Sequence, residues 1–391
     1  MADIPVGYAI SMVFAAVFVR LGLRPRPTNG PRATPSFVLA TVASELHVLM
    51  LLLVVAPTVL AAAEGDLDSL AGKAALALAA LTVAGIVVSV VLAARAVGVL
   101  ESALRAELGP GVRLHRGQGP GQLMRVLLAP VRWRRRDVVR VKDVRYGPAP
   151  GKPNLLDVYR PRAQSQPGPV LVHFHGGGFF SGVKSREARL LLERFASRGW
   201  VCVSANYRLR PARFPDQVVD AKRVIAWLRT EGRAHGADPS VVLVVGGSAG
   251  GHMAIMCALT GNDPRFQPGF EDLDTEIAGA VALYGYYGPA SDGGLPSSPA
   301  DYARPDAPPV MLVHGARDPM VPVSDARTFA TTLRARSRSP VVWAELPGGL
   351  HTFDRFASIR SAGVVAGVEA FAEWLLGTRV EESSPPASSN S

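Results

Sequence analysis

The sequence predicts an α/β fold with a mostly parallel eight-stranded sheet, preceded by an all-α transmembrane region. Three observations carry this. The apolar excess of the 391 residues is confined to roughly the first hundred positions. From about Val138 onward, short β-branched runs alternate with amphipathic stretches, the pattern of a parallel sheet covered by helices on both faces. A serine framed by glycines then falls at the junction between one such run and the helix-like stretch that follows it.

The membrane region comes first. Residues 74–94 form twenty-one positions without a charge, enough to cross a hydrocarbon core of about 30 Å. Residues 46–63 form a second run, interrupted only by His47 and Pro57, and residues 4–23 a third that contains Arg20. Two to three spans are therefore expected within residues 1–97. No basic segment precedes the first run and no small-residue cleavage site follows it, so a secretory signal is not expected. Loop charges set the orientation. Residues 24–35 carry Arg24, Arg26 and Arg32 without an acid, and residues 64–73 carry Glu64, Asp66 and Asp68 against Lys73. The positive-inside rule places the first loop and everything after residue 97 on the cytoplasmic side. Glu45 and His47, at the end of the second run, read as interfacial residues.

Residues 98–137 read as a basic juxtamembrane linker. Between 111 and 142 there are nine Lys/Arg against Asp137 alone, out of a net charge of +10. Nothing else in the chain resembles a nucleic-acid module, so the partner expected for this stretch is the anionic membrane surface. Cys202 and Cys257 sit in apolar runs and read as buried thiols.

A catalytic domain is expected over 138–378, with strands at 138–146, 154–160, 169–175, 200–207, 241–247, 277–285, 309–314 and 340–346. Helices are expected at 184–198, 216–232, 249–259, 323–336 and 357–376. The tail at 379–391 is Pro/Ser-rich and reads as disordered.

Four motifs carry chemistry. Gly246-Gly247-Ser248-Ala249-Gly250 lies between the strand VVLVV and a helix, where a sharp turn with small neighbours exposes a serine. The Ala249 N–H at the helix start faces developing oxyanion charge. His175-Gly176-Gly177-Gly178 closes the strand VLVHF, and Gly177 and Gly178 offer backbone N–H groups that no side chain obstructs. Asp318 follows PVMLVHG and His351 follows VVWAELPGG. A general base needs an imidazole held in one tautomer by a carboxylate, which these two supply from neighbouring strand ends. Asp325 and Asp354 are the alternative acids, and His252 and His314 the alternative imidazoles.

With the order Ser, Asp, His, the chain resembles the α/β-hydrolase superfamily. Within it, the hormone-sensitive-lipase-like and carboxylesterase (feruloyl-esterase-like) group matches through Leu156-Asp157-Val158-Tyr159-Arg160-Pro161, His175–Gly178, Asn206-Tyr207-Arg208-Leu209, Ser248, Asp318-Pro319 and His351. The layout, with its membrane region, is similar to actinobacterial lipase/esterase proteins. The resemblance implies the α/β-hydrolase fold and esterase or lipase activity on a small-molecule or lipid ester, with neither metal nor organic cofactor. It implies a catalytic triad of Ser248, Asp318 and His351 and an oxyanion hole of Gly177, Gly178 and Ala249. The elbow departs from the hormone-sensitive-lipase pattern, which has an acid before the serine. The short segment 286–308 leaves a cap to residues 98–130 or to the membrane region. A serine peptidase or methylesterase of the same fold, or a membrane protein that binds without catalysis, are the rival readings; a missing triad or oxyanion element would mark the last.

Overall fold

The computed structural model describes residues 5–26, 35–114, 135–291 and 294–383. Four helices open the chain: α1 (Val6–Leu23), α2 (Pro35–Glu45), α3 (His47–Ala63) and α4 (Leu70–Leu108). The faces that meet are small or apolar, with Met12, Ala15, Met50, Val54, Ala75 and Ala79 in one cluster. The opposite faces expose Ile10, Phe14, Leu52, Val59, Leu81 and Val87. Such an apolar exterior suits hydrocarbon and is a liability in water. Both α1 and α4 are long and apolar enough to cross a membrane, and α2 with α3 form an apolar pair bent by 92°.

The sheet then forms from β1 (Val138–Arg145), β2 (Leu155–Pro161), β3 (Gly168–Phe174), β4 (Val201–Ala205), β5 (Ala237–Gly247), β6 (Gly279–Leu283), β7 (Val310–Gly315) and β8 (Val341–Leu346). Its order is β1-β2-β4-β3-β5-β6-β7-β8. The first two strands run antiparallel, and β4 onward is parallel. The connecting helices are α5 (Arg189–Ala196), α6 (Asp216–Glu231), α7 (Ala249–Leu259), α8 (Val323–Arg336) and α9 (Ile359–Ser383). Buried on both faces, the central strands read as continuous apolar runs, which is why the sequence marks them so clearly. Cys202 and Cys257 are fully buried free thiols, and burial pushes Cys257 up to about 12.

One helix joins the two regions. Ala96, Leu100 and Leu104 extend the apolar stripe of α4 and bury against the sheet-bearing part of the chain. On α9, Gly363 and Gly367 stand four residues apart, and a Cβ at either would lie 2.6 Å from Val97 or 2.3 Å from Leu100. The pair lets α4 and α9 approach closely, as small residues do between membrane helices. The expected boundary at residue 97 therefore falls inside a helix that runs to Leu108, because burial of that stripe continues past the apolar span.

The register of α4 on β8 orients the sheet. Gly348, just beyond the end of β8, faces Leu92, whereas Glu107 accepts from the N–H of Val341 at the start of β8 at 3.1 Å. The carboxyl ends of the strands thus point toward the apolar part of α4. Of the basic stretch, only part is described. Arg116, Arg125, Arg132 and Arg134 fall outside the described residues. Arg135 and Arg136 precede β1, whose Val138 pairs with Pro161 at the opposite end of the sheet. Arg135 and Arg136 therefore stand at the end of the sheet away from Leu92, beyond which α4 carries the chain a further ~24 Å to Leu108. Helix α9 likewise extends to Ser383, so the first five residues of the expected tail are helical; residues 384–391 lie outside the described residues.

Candidate active site

Ser248 sits between β5 and α7 with φ 55° and ψ −118°, a conformation that a non-glycine residue adopts only when its surroundings enforce it. Its N–H donates to Leu283 O at 3.0 Å, and its carbonyl accepts from His252 N at 3.1 Å and Tyr286 N at 3.2 Å. Gly246 permits the turn, since a Cβ there would lie 2.1 Å from the Gly250 carbonyl oxygen. Backbone and close packing alone therefore hold the serine half-exposed at the mouth of a cavity.

The glycine loop after β3 faces it. Gly177 (φ 121°) and Gly178 (φ 60°) both lie in the left-handed region, and a Cβ on Gly177 would collide with Ser181 O at 1.9 Å. Among the described residues, no turn or loop hydrogen bond engages the N–H groups of Gly177, Gly178 or Ala249. Three donors beside Ser248 can thus face an oxyanion. Glu187 braces the loop by accepting from Gly176 N at 2.8 Å. His175 is buried, stacked on Tyr207, and its carbonyl accepts from Tyr207 Oη at 2.8 Å.

The remaining family motifs turn out to be foundations of this loop. Buried Asp157 accepts from Lys184 Nζ at 2.5 Å and pairs with Arg140. Asn206 Oδ1 accepts from Lys184 N at 2.7 Å, and Arg208 Nε donates to Asp220 at 2.9 Å. Through Lys184 and Tyr207 these contacts reach the chain on either side of the glycines, while Arg208 and Asp220 pair with each other; none of these residues lines the cavity.

Asp318 and His351 meet on the other side. His351 Nδ1 lies 2.7 Å from Asp318 Oδ2, and Asp318 Oδ1 accepts from Met320 N at 2.8 Å and Val321 N at 2.9 Å. Burial by itself would raise the Asp318 carboxyl; attraction to His351 and hydrogen bonds from His314 and His351 outweigh it and hold the group well below the usual carboxylate range. His351 is 2% exposed, packs edge-on against Tyr284 at 4.7 Å, and lines the cavity with Ser248. The alternative acids stand apart from it. Asp325 is exposed on α8 and accepts from Ser324 Oγ, while Asp354 accepts from Tyr284 Oη at 2.5 Å. Burial pushes Asp354 up to about 6, with the Tyr284 hydrogen bond opposing. His252 faces the Tyr286 carbonyl at 3.2 Å, and burial lowers it to about 4. His314 Nε2 lies 3.3 Å from Asp318 Oδ2, behind the acid.

The cavity has a volume of about 780 Å³. Phe179, Phe180, Met320, Val321 and Phe356 make it largely apolar, and α2 closes one side with Phe37, Val38 and Thr41. The Phe37 ring lies 6.4 Å from that of His351. Of the two segments left as sources of a cap, the membrane region supplies this wall; 98–108 packs on β8 and α9, and 115–130 lies outside the described residues. Glu45 and His47, expected as interfacial residues, are buried within the protein. Glu45 is buried against Arg360 and Ser358, and His47 Nε2 lies 3.0 Å from Ser89 Oγ on α4. Sequence reasoning also missed Glu187, Tyr284 and Phe37, whose roles depend on packing between distant segments.

Comparison with known proteins agrees with this architecture. The BD-FAE family model matches residues 156–291. A probable carboxylic ester hydrolase of Mycobacterium tuberculosis, LipM, is 36% identical over 296 residues, 68% of this chain and 67% of its own length. The esterase LipQ of the same organism is 37% identical over 290 residues, 65% of this chain and 68% of its own. Among solved structures, esterase 2 of Thermogutta terrifontis phosphorylated by paraoxon superposes with a TM-score of 0.53 and 26% identity, covering 62% of this chain and 95% of that one.

Proposed function

Because the chain belongs to the carboxylic ester hydrolases of the α/β-hydrolase fold, we propose that it hydrolyses its ester through an acyl-enzyme on Ser248, at a membrane. The observation that carries this reading is the 2.7 Å contact between His351 Nδ1 and Asp318, with His351 lining the same cavity as Ser248 and the glycine loop. Ser248 Oγ attacks the ester carbonyl carbon while its proton passes to His351 Nε2. Asp318 keeps the Nδ1–H tautomer and stabilises the imidazolium. The tetrahedral oxyanion sits on the N–H groups of Gly177, Gly178 and Ala249. Collapse expels the alcohol, which takes the proton from His351. Water, deprotonated by His351, then attacks the acyl carbon, and the acid leaves with Ser248 restored.

The apolar cavity suits an ester with a hydrocarbon portion. Orientation follows from charge and contacts together. Arg317, beside Asp318, donates to the Leu23 carbonyl at 2.5 Å, so the end of α1, which leads into loop 24–35, and the catalytic domain share a side. That loop is the arginine-bearing one, which favours three spans with the domain in the cytoplasm.

An organophosphate of the kind that modifies the Thermogutta esterase is the direct probe. A fluorophosphonate should label the detergent-solubilised full chain once per molecule, on Ser248, and not the Ser248→Ala variant. Labelling elsewhere, or p-nitrophenyl ester turnover in Ser248→Ala above a tenth of wild type, would reject the assignment. For topology, a fluorescent protein fused after residue 383 should fluoresce and an exported phosphatase fused there should stay silent; the opposite pair would put the enzyme outside.

A further inference from the structure

The cavity, the small basic pocket around Tyr159 and the buried ionic groups offer different prospects, and the buried ionic pair between α2 and α9 leads furthest. Glu45 is the last residue of α2, and its side chain has no exposed surface; that of Arg360 is 1% exposed. One Glu45 oxygen takes the Arg360 guanidinium, and the other accepts from Ser358 Oγ at 2.6 Å. Ser358 and Arg360 close the loop that begins at Pro347, after β8, and carries His351. Arg360 also reaches back to the Pro347 carbonyl at 3.5 Å, so a single guanidinium touches both ends of that loop. Leu350, next to the histidine, is buried with Leu21 of α1 and Ala40 of α2.

A buried ion pair is a poor source of stability, because desolvating two charges offsets most of their attraction. What such a pair fixes well is geometry, since an unpaired charge there is so unfavourable that few arrangements are tolerated. The loop it fixes holds the imidazole whose Nδ1 must meet Asp318 and whose Nε2 must meet Ser248.

We propose that Glu45 is a positioning residue of the active site: through Arg360 and Ser358 it holds the loop 347–358 so that His351 is in register with Ser248 and Asp318. The N-terminal helices are then a working part of the catalytic centre as well as an anchor. The inference rests on the Ser248/His351 reading above.

The rate of fluorophosphonate labelling, measured on the full chain in detergent micelles, tests it, because rate and final extent report different things. Glu45→Gln and Arg360→Gln should each slow labelling by roughly tenfold to a hundredfold, the penalty of a displacement near 1 Å, while the extent at long times stays complete. Ser358→Ala should slow it about two- to threefold, having lost one hydrogen bond of the three groups. Glu45→Gln combined with Arg360→Gln should be no slower than the worse single variant, as expected of residues acting in series. Should the single variants fail to fold, Glu45→Met with Arg360→Met removes both charges and leaves no orphan; it should fold and still label slowly. Wild-type labelling rates in that double variant, or in a folded Glu45→Gln, overturn the proposal. A wild-type chain that is not labelled on Ser248 rejects the proposed chemistry instead, so the two failures are distinguishable.

Discussion

Ser248 and the loop 176–178 are held from within the sheet-bearing domain, chiefly by main chain through positive-φ residues, carbonyl contacts and the start of α7, with the Glu187 carboxylate as brace, whereas the loops that carry Asp318 and His351 are also tied through side chains to a segment about three hundred residues earlier. The first half of the site is local. Everything that shapes the elbow lies within the sheet and its nearest turns, so short glycine motifs suffice to specify it. The second half is distributed. The Arg317–Leu23 bond, the Leu21–Ala40–Leu350 cluster and the Glu45–Arg360 pair all tie the acid and base loops to the N-terminal helices. A backbone-built half resists surface change and fails abruptly at a glycine, while a side-chain-built half can be loosened by degrees.

The largest expected effect lies in the distributed half, at its chemical centre. His351→Ala should lower kcat by about 10⁴-fold or more, and adding Asp318→Ala should cost little beyond that, because the pair acts as one unit. Losses that multiply in a steady-state double-mutant cycle would show that His351 takes its orientation from another group, and the comparison would lose its second term. An intermediate effect is expected in the local half. Gly178→Ala places a Cβ 2.4 Å from the Phe180 ring at φ 60° and should lower kcat by about 10²- to 10³-fold, with KM and the thermal midpoint little changed. A large fall in the midpoint with kcat intact would mean that the loop supports the fold and not the oxyanion.

The smallest effect sharpens the boundary between the two halves, where Tyr284 touches Asp354 on one side and His351 on the other. With its folded value raised to about 6, Asp354 holds more protons in the folded state than in the unfolded chain between roughly pH 4 and 6. Stability is therefore lost as pH rises through that window. Asp354→Asn keeps an oxygen for the Tyr284 hydroxyl and should flatten the decline, by about 1 kcal/mol once the partial exposure of the residue is allowed for. Thermal unfolding of both proteins from pH 4 to 7 measures the difference; parallel curves would show that the carboxyl is solvated.

How much of this was legible follows the same division. The strands, the serine elbow and the glycine loop could be read because each is written in consecutive residues: VVLVV before Gly246, VLVHF before Gly176. Asp318 and His351 could be read from their places after strands. Glu45 could not, since its partner Arg360 is 315 positions away and a carboxylate ending an apolar run looks like a residue at a membrane surface. The available signal was Glu45 ending an apolar stretch with no basic neighbour, which demands a partner from elsewhere. The wall made by Phe37 and Val38 was hidden by the bend between α2 and α3, and the length of α4 by the assumption that a helix stops where its lipid-facing stretch does.

The continuity of α4 has a mechanical consequence. At 1.5 Å per residue its thirty-nine residues make a rod of about 58 Å, without a joint between the part that suits hydrocarbon and the part clamped on β8. A domain on a flexible tether samples all orientations above a bilayer, and its mouth meets the surface only for a small fraction of the time. A domain riveted along such a mast cannot roll relative to it. With the anchoring proposed above, its aperture would keep a constant attitude toward the lipid surface, and the search for a membrane-borne ester would become lateral diffusion in two dimensions, with no rotational waiting time before each encounter.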